Sequence, residues 1–119
     1  MCIRDSYQGR DHASAEALRH DALALQDAGA VMLVLECVPA HLAGEIARTL
    51  SIPVIGIGAG SGCDGQVLVL HDMLGLNPDA PPRFSKDFLA GREGVRAALS
   101  AYVEAVVSGE FPGPGQTLF

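Results

Sequence analysis

The sequence predicts an α/β fold with parallel strands, and two observations carry that prediction. Segments of helical period alternate with short apolar runs, in the order helix, strand, helix, strand, strand, helix. The apolar runs at 30–35, 52–57 and 66–70 are continuous rather than alternating, as in strands whose two faces are both covered. Three such strands make only a small open sheet, so the pattern points to part of a larger body.

Each element follows from its residues. Residues 11–28 read as a helix capped by Asp11 or Ser14, with a stripe of Leu18, Ala22 and Leu25 and a stop at Gly29. Ala30-Val31-Met32-Leu33-Val34-Leu35 is the first strand. Pro39 suits the first turn of a second helix, which Leu42, Ile46 and Leu50 carry on one face. Ile52–Ile57 is the second strand, its Pro53 near the start where a missing N–H is tolerated. A glycine-rich loop leads to a third strand at 66–70, and Pro78, Pro81 and Pro82 then block regular structure. The last helix begins near Glu93, with Val95, Leu99, Tyr102, Val103 and Val106 on one face, and ends at Gly109.

Composition excludes several functions. The 119 residues are 49% hydrophobic, which excludes a disordered tail. Eight basic against 14 acidic residues leave a net charge of −6, the wrong sign for binding nucleic acid or an anionic membrane. The longest apolar stretch, 28–35, falls well short of the ~20 residues that span a bilayer. The three cysteines form no CxxC pair, which argues against zinc, and their odd count without a secretory signal fits a reducing, cytoplasmic setting.

Glu36 is the outlier, a carboxylate directly after an apolar run at the end of a strand. Ligands of α/β folds sit outside the carboxyl ends of strands, and a partly desolvated Glu suits a general base. A helix cap or an arginine partner explains it equally. Alternation puts Met32 and Val34 on the face of Glu36. Gly60-Ser61-Gly62-Cys63-Asp64-Gly65 matches GxGxxG, yet a strand and not a helix follows, against the dinucleotide mechanism. The loop is then a tight turn or a close approach of backbone to ligand. His71 and Asp72 could line the mouth beside Glu36, or Asp72 could cap a turn. His12, His20 and His41 read as solvated, Cys37 as a buried structural thiol, and Arg83 and Lys86 as surface charges.

Three stretches carry a resemblance. Leu33-Val34-Leu35-Glu36-Cys37-Val38-Pro39, then residues 52–60, then Cys63-Asp64-Gly65-Gln66-Val67-Leu68-Val69-Leu70-His71-Asp72 resemble the ketopantoate hydroxymethyltransferase family, as do Gln8-Gly9-Arg10 and Phe111-Pro112-Gly113. The resemblance implies the C-terminal part of a (β/α)8 TIM barrel, strands six to eight, over residues 7–119, with 1–6 as a junction foreign to the family. It implies transfer of a hydroxymethyl group from 5,10-methylenetetrahydrofolate to 3-methyl-2-oxobutanoate, giving 2-dehydropantoate, with Glu36 as the base at C3. It also implies Mg²⁺, whose ligands are expected upstream of this chain, and a homo-oligomer. The chain alone is expected to be inactive. Two other readings stand beside this one: another metal-dependent 2-oxo-acid enzyme of the same superfamily, and a non-catalytic module that docks on a partner.

Overall fold

The computed structural model describes residues 7–119. The junction expected at 1–6 lies outside the described residues. The architecture is mixed α/β: α1 (His12–Asp27), β1 (Leu33–Glu36), α2 (Ala40–Thr49), β2 (Val54–Ile57), β3 (Gly65–Gln66), α3 (Leu70–Met73) and α4 (Val95–Val107). The strands form one parallel sheet in the order β1-β2-β3.

α1 starts where the sequence places it. The Asp11 carboxylate accepts from the Ser14 amide at 2.9 Å, satisfying one of the donors a helix N-terminus leaves free. α2 follows Pro39, whose φ of −53° leads into the helix. Leu42, Ala43 and Ile46 of α2 pack with Ala15 and Ala22 of α1, Leu35 of β1 and Val54 of β2 in a first apolar core. The stripe expected on α1 is only partly right, because Leu25 is exposed and Ala15 takes its place in the core.

A second core lies around Ile57, Leu68, Met73, Phe88, Ala98, Ala105 and Phe111. Val54 and Ile57 differ by an odd number of residues, so they face opposite sides of β2, one into each core. Phe88, Tyr102 and Phe111 meet edge to face, with ring centroids 5.4–5.9 Å apart. These rings press on the small residues of α4. Ala98 and Ala105 are therefore its buried positions, while Val95, Leu99 and Val103, expected on the packed face, are exposed.

Two strand expectations are corrected. The third strand spans Gly65–Gln66 and not 66–70. Its ladder is Ile55 with Gly65 and Gly56 with Gln66, continued by one bond from the Val67 amide to the Gly56 carbonyl. Gly58, at φ +63°, then turns the neighbouring chain away. Leu68 and Val69 belong to no strand, and the Val69 carbonyl accepts instead from the Met73 amide as α3 begins. The first strand is also not buried on both faces. It spans Leu33–Glu36 and not 30–35, so Val31 precedes it and is 84% exposed, and Val34 is 54% exposed because α1 and α2 cover only the face of Leu35.

Candidate active site

Glu36 is the last residue of β1 and pairs in register with Ile57, the last of β2. Paired residues of a parallel ladder share a face, so Val34, Glu36, Ile55 and Ile57 lie on one side of the sheet. The expectation that Val34 accompanies Glu36 holds. Glu36 is exposed at this end rather than desolvated by the strand before it.

The chain turns sharply after Glu36. Cys37 has φ +53° and is half-buried, not the fully buried thiol expected. Its amide donates to the Ile57 carbonyl and its carbonyl accepts from the Gln8 amide, both at 2.9 Å. Tyr7 thus stands at the strand end, its ring 4.7 Å from that of Phe119. Burial pushes the Tyr7 phenol up, a nearby Cys37 adds to the rise, and the Arg83 charge opposes it. Arg83 is itself exposed, as its setting among prolines suggests. Its neighbour Phe84 lies against Gly58, where a Cβ would come within 2.9 Å of the ring.

The glycine loop is explained by packing. A Cβ on Gly60 would overlap Ala40 at the start of α2, and one on Gly62 would lie 3.1 Å from the Gly44 Cα. Gln66 donates from Nε2 to the Gly60 carbonyl at 2.9 Å, and the Asp64 carboxylate accepts from the Val54 amide at 2.8 Å. A strand follows the loop, so the N-terminal anion site of the dinucleotide motif does not form. Burial raises the pKa of Cys63, beside Gly56, with a smaller push from Asp64.

His71 and Asp72 sit in α3, not at a strand end. They line a cavity of about 240 Å³ with Asn77, Ser85, Lys86 and Asp87, and Glu36 does not border it. Asp72 is only 6% exposed and its carboxylate accepts from Nδ2 of the Asn77 side chain. Lys86 holds its ammonium 5.1 Å from the Phe88 ring centre. His12, His20 and His41 are exposed, as expected. Among the described residues no three His, Cys, Asp or Glu side chains come together to hold a metal ion. These residues do not fit the magnesium centre that the resemblance implies. Among them, too, no helix is long and apolar enough to cross a membrane.

A small parallel sheet flanked by helices, with a carboxylate at the carboxyl end of a strand, defines the class: a mixed α/β domain. The chain belongs to the ketopantoate hydroxymethyltransferase family, whose model matches residues 5–114. It is 60% identical over 107 residues to the 3-methyl-2-oxobutanoate hydroxymethyltransferase of Halorhodospira halophila, covering 90% of this chain and 38% of that protein. It is 59% identical over 107 residues to 3-methyl-2-oxobutanoate hydroxymethyltransferase 2 of Pseudomonas fluorescens, covering 89% of this chain and 40% of the relative. For the Burkholderia mallei 3-methyl-2-oxobutanoate hydroxymethyltransferase the identity is 57% over 107 residues, with 90% and 40% covered. The chain thus spans about two-fifths of the length of these curated relatives.

Proposed function

We propose that residues 7–119 are the C-terminal part of a (β/α)8 barrel, with β1, β2 and β3 as its sixth to eighth strands and 1–6 outside the domain. In the complete domain Glu36 is the general base of hydroxymethyl transfer from 5,10-methylenetetrahydrofolate to 3-methyl-2-oxobutanoate. The observation that carries this reading is the place of Glu36: an exposed carboxylate at the carboxyl end of a parallel strand, on the face that α1 and α2 leave open.

The chemistry needs such a group. C3 of the keto acid lies next to a carbonyl and must lose a proton before it can form a carbon–carbon bond. The Glu36 carboxylate takes that proton, and the C–H electron pair moves into the enolate. The two C–N bonds of the donor's methylene carbon break, water supplies the oxygen and its two protons go to the nitrogens, and tetrahydrofolate leaves. The enolate carbon bonds to that carbon, and the proton taken from C3 ends on the new hydroxyl, giving 2-dehydropantoate. A positioned base contributes about 10²–10⁴-fold to such a step. Mg²⁺, on this reading, is held by residues of the domain that this chain does not span. The domain works in a homo-oligomer in the cytoplasm, where the thiols of Cys37 and Cys63 stay reduced.

The test uses the chain alone and the chain joined to the missing portion of the Halorhodospira halophila relative. Product formation is followed with keto acid, folate and Mg²⁺. The chain alone should show no turnover. The completed enzyme should turn over, and Glu36→Gln should lower its rate by about 10²-fold or more. A Glu36→Gln enzyme with full activity sinks the assignment. A second reading, a non-catalytic module that docks on a partner, is favoured by the exposed Val31, Met32 and Val34. On that reading Glu36→Gln alters assembly and leaves activity intact.

A further inference from the structure

We propose that Cys37 is a positioning residue, whose left-handed backbone fixes where Glu36 points. This rests on the reading of Glu36 as the base. Among the described residues nine have a clearly left-handed φ, and eight of them are glycine; Cys37 is the exception. A residue with a Cβ is disfavoured there because that atom crowds a carbonyl oxygen, which is why glycine fills such positions. Backbone of this kind persists only where its surroundings over-determine it.

Here they do. The Cys37 amide is tied to Ile57 and its carbonyl to Gln8, both at 2.9 Å. Behind it Val38 is buried in the first core, and Pro39 has its φ held by its ring. The peptide that follows Glu36 is therefore fixed from both sides. β1 ends at Glu36 and does not run on past it. A carboxylate on a fraying strand end would sample many directions. This one leaves a Cα whose neighbouring peptide has one state, and a base must meet its C–H within hydrogen-bond reach.

The experiment follows deuterium exchange at C3 of 3-methyl-2-oxobutanoate in the completed enzyme without folate, which reads proton removal alone. Glu36→Gln comes first. Loss of exchange upholds the base; retained exchange ends that reading and this proposal with it. Cys37→Asn and Cys37→Gly, which accept a positive φ, should keep kcat within about threefold of the parent. Cys37→Val, which does not, should lower kcat about tenfold or more with KM unchanged. Should the valine variant fail to fold, Cys37→Ala should move kcat the same way by less. With exchange lost in Glu36→Gln, two results overturn the proposal alone. One is Cys37→Asn falling as far as Cys37→Val, which would make the thiol itself the active part. The other is Cys37→Val, or Cys37→Ala in its place, with a lowered melting midpoint but parental kcat, which would leave a structural role only.

Discussion

The two cores on either side of β2 are built differently. The first draws Leu42, Ala43 and Ile46 from one helix, Ala15 and Ala22 from another, and Leu35 and Val54 from strands. Most of its members sit in elements with their own hydrogen-bond ladders, and Val38, Leu50 and Ala59 lie close to the ends of those elements. The second takes Ala98 and Ala105 from a long helix, with its Tyr102 and Val106 packed alongside, and Ile57 from a strand in the ladder with β1. The rest of its mass is Leu68, Phe88 and Phe111, on chain without regular structure, and Met73 and Leu74 at a four-residue helix. One core is held by periodic elements, the other by aromatic rings that pin irregular chain. The lesson is that order in the second half depends on a few large side chains.

Phe88→Ala tests this most severely. Phe88 is almost fully buried and touches both Tyr102 and Phe111. Removing the ring should cost about 3–5 kcal/mol. Hydrogen exchange should show α4 losing protection while α1 and α2 keep theirs. Equal loss everywhere would break the comparison, since the two cores would then melt as one. Leu42→Ala is the counterpart in the first core, at about 2–5 kcal/mol. Here protection should fall in α1 and α2 first.

The same contrast decides what could be read from sequence. α2 was legible from Pro39, Leu42, Ile46 and Leu50, because helical period and burial coincide there. The stretch 66–70 was not, because its apolar residues look like a strand but the ladder pairs only Gly65 and Gln66 and ends with one bond from Val67. A ladder needs a neighbour, and no local pattern reports one. Glu36 was legible as a carboxylate ending an apolar run. The left-handed Cys37 left no local sign, because its geometry comes from bonds to Ile57 and Gln8, far apart in sequence.

Gly60→Ala probes the seam between loop and first core. The position has φ +74°, and the added methyl would overlap Ala40. Backbone strain and overpacking together should cost about 1–3 kcal/mol, read from the urea midpoint. Gly91→Ala is the control, with a similar φ of +73° and nothing within reach of its Cβ. The excess of the first over the second measures contact alone. Equal costs would mean that Ala40 gives way and that the loop is not pinned to α2.

The smallest effect lies at the edge of the first core, at the start of α1. Asp11 accepts from the Ser14 amide and, at 2.7 Å, from its hydroxyl. The amide bond, then the hydroxyl, hold its carboxyl below the ordinary value of 3.8. A carboxylate whose folded pKa is depressed stabilises the fold above its unfolded pKa, and that contribution is lost as pH falls through the folded value. Asp11→Ala should therefore lower the melting midpoint at about pH 7, and the gap should close towards about pH 2. Asp11→Asn keeps a capping oxygen without the titration, so its own cap should hold at both pH values. A gap between parent and Asp11→Ala that is unchanged in acid would mean that the charge of Asp11 adds nothing. The first core would then owe the start of α1 to packing alone, through Ala15 and Ala22.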